Sequence, residues 1–227
     1  MNRYIMKTIS AIICVYNEER TIKGVVIKVA DYFFDEVIVV NDGSTDRTDN
    51  ILKETNEFSD FKYINLAENK GKGYAMAIGI ENASSDIIVF IDADLSNLHD
   101  DHLFELVMPL THKEADMVLG QATETLINYS LNPYKSFTGE RSVFKKDVLP
   151  LVDKMKNSRF GVETLINLYY QSEGKTVKYV MLNGLKHPTK FDKVSKPQAI
   201  KEFMKEGHQI ALTTFKNFDL LTSSIKI

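Results

Sequence analysis

Short apolar runs rich in β-branched residues alternate, along the first half of the chain, with stretches in which apolar side chains recur every three or four positions. Period two alternating with period 3.6 is the mark of βαβ units around a mostly parallel sheet. Strands are predicted at ISAIICVY, EVIVVND, FKYINLA and DIIVFID, with a fifth at ADMVLGQ. Between them, Arg20 to Phe34 sets Ile22, Val25, Val26 and Val29 on one helical face, and Asp46 to Glu54 and Lys72 to Asn82 read as two further helices. Thr45-Asp46-Arg47-Thr48 offers side-chain oxygens to cap the second of these.

After about residue 121 the alternation breaks. Gln121 to Thr138 reads as a long connection containing Asn132-Pro133, and connections of that length usually carry function. A helix is predicted over Gly161 to Glu173, a strand over Thr176 to Leu182, a loop over Asn183 to Lys196, and a closing helix from about Pro197. That last helix sets Ile200, Phe203, Met204, Ile210, Ala211 and Phe215 against Lys201, Lys205 and Lys216. Such a stripe packs on the domain or touches an anionic membrane surface.

Composition narrows the function classes. An apolar share of 44% and a charged share of 26% over 227 residues are those of an ordinary globular chain. The 28 Lys and Arg against 31 Asp and Glu give a net charge of -3, so no basic field recruits nucleic acid. A lone cysteine, Cys14, argues for core packing in a reducing compartment. No run approaches the roughly 18 apolar residues of a membrane span, and the N-terminus lacks a signal-peptide core, so a cytoplasmic location is expected, with peripheral contact through 197–227 as its only membrane tie.

The candidate chemistry gathers at strand ends. Asp92 and Asp94 follow the apolar run Ile87 to Ile91, which places two carboxylates at the carboxyl end of a buried strand, where open α/β sheets bind ligands. A pair of acids there suits Mg²⁺ or Mn²⁺ and a phosphorylated substrate. Tyr16-Asn17-Glu18-Glu19 and Asn41-Asp42-Gly43-Ser44 close two more strands, and fixed carboxylates can accept from ribose hydroxyls or a base N–H. Asn69-Lys70-Gly71-Lys72-Gly73 opens a helix with charge and backbone donors for an anion. Neither G-x-x-x-x-G-K-[ST] nor a G-x-G-x-x-G after the first strand is present, which disfavours P-loop and dinucleotide folds. His99 and His102 are expected at a helix start beside Asp100 and Asp101, and His112 and His208 have no supporting partners.

V-Y-N-E-E, V-V-N-D-G-S-T-D, N-K-G-K-G and an apolar strand entering D-A-D, in that order, resemble the family 2 glycosyltransferases, whose fold is GT-A. The resemblance implies an α/β fold with a mostly parallel central sheet flanked by helices. It implies one catalytic domain over 1–196, with a donor half at 8–122 and an acceptor half at 123–196, followed by the helical extension 197–227. It implies a UDP- or GDP-sugar donor held by Val15, Tyr16, Glu18, Asp42, Lys72, Asp92 and Ala93, and a metal on Asp92 and Asp94. Many relatives carry a proline where Cys14-Val15 precedes the Tyr-Asn-Glu.

The second half resembles the branch containing the dolichyl- and polyprenyl-phosphate glycosyltransferases and the glucosyl-3-phosphoglycerate synthases. Thr138, Gly139 and Arg141 match its S/T-G-x-R element at the acceptor, where Arg141 would hold a phosphate or else form a surface ion pair with Glu140. His187 stands where some relatives supply a third metal ligand. Glu163, with Glu140 as second choice, is the expected base beside Asp94 in the catalytic set. A lipid phosphate is the leading acceptor, a soluble phosphoglycerate or glycan precursor the alternative, and a homodimer is left open. Two rival classes are a sugar-phosphate nucleotidyltransferase, whose Gly-rich N-terminal loop VYNEERT lacks, and a non-catalytic nucleotide-sugar sensor.

Overall fold

Seven strands lie side by side in the order β3-β2-β1-β4-β6-β5-β7 in the computed structural model, which describes residues 7–124, 138–158, 161–187, 207, 211–217 and 219–220. The strands are β1 (Ile9–Val15), β2 (Glu36–Asn41), β3 (Lys62–Asn65), β4 (Ile87–Asp92), β5 (Met117–Glu124), β6 (Arg141–Phe144) and β7 (Val177–Lys186). The first four pair in parallel, β6 runs antiparallel to both β4 and β5, and β7 lies parallel to β5.

Helices cover both faces because each central strand is apolar on both. On β1, Ala11, Ile13 and Val15 join one cluster with α1 (Ile22–Ala30), α2 (Thr48–Thr55) and α4 (Asp100–Thr111), whereas Ile12 joins the other with α3 (Lys72–Asn82). Beyond β6, the short helices α5 (Lys145–Val148) and α6 (Val152–Lys156) flank a 3-10 turn at Leu149–Leu151, and α7 (Val162–Ser172) completes the second layer. The layout is the α/β arrangement that the sequence implies.

Some local expectations shift. The second helix opens beneath Asp46, whose Oδ1 accepts from the Thr48 N–H at 2.9 Å. The predicted loop from Asn183 is strand as far as Lys186, held by the pairing with β5 and by a bridge from Ser96 to Lys186. β6 is unforeseen, since its buried residues include Arg141 and Ser142, one on each face. The boundary expected at 122 falls inside β5.

Of the closing helix, 211–216 are described as helical, with Thr213 buried and Phe215 80% exposed. The expected stripe members Ile200, Phe203, Met204 and Ile210, and the start at Pro197, lie outside the described residues. Among the described residues, no helix is long and apolar enough to cross a membrane.

Candidate active site

Strand order reverses between β1 and β4, so their carboxyl ends frame the crevice where such sheets take ligands. Cys14 pairs with Asp92 and Val15 with Asn41, which brings the tips of β1, β2 and β4 to one edge. Across the sheet Asp42 and Asp92 are thus about two strand spacings, roughly 10 Å, apart, with Asp42 further along its strand.

At the β1 and β2 tips the two loops are stitched together. The Asn17 side-chain oxygen accepts from the Thr45 N–H at 2.8 Å, the Glu18 N–H donates to Thr48 Oγ1 at 3.0 Å, and Val15 O accepts from the Asp42 N–H at 2.8 Å. Tyr16 is 43% exposed beside them. Asp42 is buried, and its two carboxylate oxygens accept from the Lys70 and Gly71 N–H groups at 2.8 Å each. It therefore shapes the N-K-G-K-G loop directly. Gly43 sits at φ 67, and a Cβ there would fall 2.4 Å from the Glu68 carbonyl carbon, so only glycine lets these loops meet.

At the β4 tip the acids divide into two groups. Lys72, the first residue of α3, places its ammonium 2.8 Å from Asp92 and 2.7 Å from Glu163, which stands in the first turn of α7. Burial opposes that charge, but the two carboxylates outweigh it and hold Lys72 protonated well above the ordinary lysine range. On the other side, His187 Nε2 lies 3.2 Å from Glu140 and Nδ1 lies 3.6 Å from Asp94. Glu140 first, and Asp94 and Asp92 with it, push the imidazole up to about 11. Asp92 itself is raised, chiefly by burial. Ala93 is buried between the two aspartates, and its carbonyl accepts from Thr21 Oγ1 at 2.9 Å.

The antiparallel β6 carries the S/T-G-x-R element to this edge. Its pairing of Phe90 with Arg141 extends naturally to Asp92 opposite Gly139. A Cβ on Gly139 would fall 2.1 Å from Asp92 Oδ2 and 2.2 Å from Oδ1. Gly139→Ala is therefore expected to cost about 1–3 kcal/mol as overpacking, a midpoint loss of roughly 2–10 °C in a thermal melt. A loss below about one degree would mean that Asp92 swings aside freely.

Arg141 is neither the exposed phosphate fork nor the surface ion pair weighed from the sequence. It is fully buried, donating to Thr138 O at 2.6 Å and to Asn167 Oδ1 at 3.3 Å, and burial lowers its pKa despite the acids nearby. It ties the S/T-G-x-R element to α7, one turn beyond Glu163. Thr138 in turn donates to Glu140 Oε2 at 2.6 Å. Sequence reasoning missed Asn167 entirely, because nothing local marks an Asn on an amphipathic helix as a buried partner.

Could these residues hold a divalent cation? Asp92, Glu140 and His187 each offer a ligand atom, all within 4.8 Å of one another. Two carboxylates and an imidazole suit Mn²⁺ or Mg²⁺, and the buried Oε1 of Glu140 has no hydrogen-bond partner. The donor set fits. His99 and His102 behave as expected of a helix start: the His99 N–H donates to His102 Nδ1 at 3.1 Å, and His102 Nε2 meets Asn183 O at 2.8 Å.

The chain is similar to known proteins in part of its sequence and in its fold. The poly-beta-1,6-N-acetyl-D-glucosamine synthase of Staphylococcus epidermidis is 36% identical over 101 residues, 44% of this chain and 24% of that protein. The synthase of Staphylococcus aureus (strain COL) is 35% identical over 91 residues, 39% and 22% of the two chains. The chain thus spans about a quarter of the length of these curated relatives.

Among solved structures, the glucosyl-3-phosphoglycerate synthase of Mycobacterium tuberculosis with Mn²⁺, UDP and phosphoglyceric acid superposes with a TM-score of 0.72 at 22% identity, covering 92% of this chain and 78% of that one. The same enzyme with Mg²⁺ and UDP gives 0.71 at 23%, covering 92% and 79%. At such identity the likeness establishes the shared fold. The family model for glycosyl transferase family 2 matches residues 10–195, most of the chain, and on that match the chain belongs to glycosyl transferase family 2.

Proposed function

We propose that this chain is a divalent-cation-dependent hexosyltransferase that moves a sugar from a UDP- or GDP-sugar to a hydroxyl of its acceptor. The observation that carries the reading is the Lys72 ammonium, which joins Asp92 at the donor strand to Glu163 at the start of α7. A carboxylate fixed beside the donor site is what deprotonating an incoming hydroxyl requires.

Asp42, Glu18 and Tyr16 line the nucleoside end, Asp92, Asp94 and His187 the diphosphate end, and Thr138, Gly139 and Arg141 the acceptor wall. Glu163 stands in the first turn of α7, and Arg141 through Asn167 keeps that helix in register with the wall. The cation, when bound, stabilises charge on the leaving diphosphate as a Lewis acid. Mn²⁺ and UDP in the Mycobacterium tuberculosis enzyme support the cation and the donor class.

The lipid-phosphate acceptor expected from the sequence leans on the S/T-G-x-R element and on the basic tail 197–227, of which 197–206 lie outside the described residues. Glu163 favours the hydroxyl, because an acceptor already anionic needs no base.

The test is a thermal-shift panel of UDP, GDP, UDP-glucose and GDP-mannose, with and without Mn²⁺, on the full chain and on Asp92→Asn. A metal-dependent rise with one nucleotide, lost in the variant, is expected by mass action. No rise with any of the four would sink the donor reading and favour the sensor class.

The same site gives a pH signature. His187 keeps its proton up to about 11 without metal, and a ligating imidazole must be neutral. Mn²⁺ affinity should therefore climb by up to about tenfold per pH unit between about pH 6.5 and 8.5, and climb less in His187→Ala. Paramagnetic-resonance titration of free Mn²⁺ reads this directly, and a pH-independent affinity in the unaltered protein would remove His187 from the ligand set.

A further inference from the structure

We propose that Glu140, from the acceptor wall, is itself a ligand of the divalent cation, alongside Asp92 and His187. The inference rests on the metal-dependent reading above and adds a residue to it.

Glu140 is fully buried. Among the described residues its only ion-pair partner is His187, and no lysine or arginine lies within 4 Å of its carboxylate. Oε2 accepts from Thr138 Oγ1 and faces His187 Nε2, while Oε1 is buried with no hydrogen-bond partner. A carboxylate oxygen left that way loses its hydration with nothing in return.

The backbone leaves the side chain little choice of direction. Glu140 O accepts from the Gly120 N–H at 2.9 Å, and a Cβ on Gly120 would approach Glu140 Cβ to 3.1 Å. Pinned between β5 and β4, Glu140 has a carboxylate oxygen within 4.8 Å of ligand atoms of both Asp92 and His187. One cation touching all three would engage the Glu140 oxygen that has no hydrogen-bond partner. Asp94, although two residues from Asp92 and 3.6 Å from His187 Nδ1, is outside that triad. The cation then clasps β4, the entry to β6 and the end of β7 together, so that seating it also sets the acceptor wall.

The rival is that Glu140 only orients His187, an arrangement common behind metal-binding histidines. A double-mutant cycle separates the two. Mn²⁺ binding to the full chain, with and without UDP, is measured by paramagnetic resonance for the unaltered protein, Glu140→Gln, His187→Ala and the double variant. As a ligand, Glu140 should weaken Mn²⁺ binding by about tenfold or more when changed to Gln, and by a similar factor again in the His187→Ala background. No further loss in that background makes Glu140 a positioning residue and overturns the proposal.

If the unaltered protein takes Mn²⁺ and Glu140→Gln takes it equally well, the inference fails and the metal-dependent function stands. If the unaltered protein takes none even with UDP, both fail. Should Glu140→Gln lose its thermal transition, the unaltered protein crystallised with Mn²⁺ decides. An anomalous peak within about 2.5 Å of a Glu140 oxygen supports the proposal, and one beyond about 3.5 Å overturns it.

Discussion

Replacing Lys72 with Met should lower the thermal midpoint of the metal-free protein by roughly 5–15 °C. Lys72 is the shared cation of two carboxylates, at 2.8 Å from Asp92 and 2.7 Å from Glu163, with side-chain exposures of 24%, 23% and 11% for the three. Removing one partner of a buried ion pair costs about 3–5 kcal/mol, because the surviving charges are left uncompensated. The partial exposure here brings that to roughly 2–4 kcal/mol.

Two checks follow from the same geometry. Lys72→Met combined with Glu163→Gln should recover part of the loss, since one repelling charge is gone. Mn²⁺ should recover some of it as well, by binding only the folded form. Calorimetry of the unaltered protein, Lys72→Met, Glu163→Gln and the double variant decides, and a fall below about 2 °C for Lys72→Met alone would mean that the ammonium holds nothing together.

Glu163→Gln should cut transfer by about 10²–10⁴-fold, in kcat rather than KM, because what is lost is proton transfer in the transition state. Glutamine keeps an oxygen for Lys72, so the melting midpoint should move far less than in Lys72→Met. The assay is release of UDP or GDP against a panel of sugar and polyol hydroxyls and, in a second arm, polyprenyl phosphate. If turnover occurs only with the phosphate and Glu163→Gln leaves it within about threefold, the hydroxyl acceptor is wrong and the lipid-phosphate expectation takes its place.

The half of the chain that carries the strand-end motifs was legible because its chemistry is local. Ile87 to Ile91 followed by Asp92 announces a buried strand with a polar tip, and the structure puts β4 there, ending on Asp92. The span of α3 likewise matches its apolar spacing. What could not be read was pairing at long range. β6 has arginine and serine inside, a pattern that no strand rule selects, and only its two neighbours make it a strand. Asn183-Gly184 looks like a turn, yet Gly184 at φ 81 is carried through β7 with its N–H donating to Thr123 Oγ1. The contact of Lys72 with Glu163 spans two helices far apart in sequence. Glu140 was legible only as a spare base, since its burial and its nearness to Asp92 depend on that unforeseen strand.

The place of β6 in the sheet bears on how such chains can diversify. β5 takes both of its hydrogen-bonded neighbours, β6 and β7, from beyond residue 138, and β4 takes β6 as its outer neighbour. A protein ending near residue 122 would leave β5 with no neighbour and bare the edge of β4. The two halves of the chain are therefore inherited as one unit, because neither completes the sheet without the other, and recombination between relatives keeps the sheet whole only where β4, β5, β6 and β7 travel as a matched set.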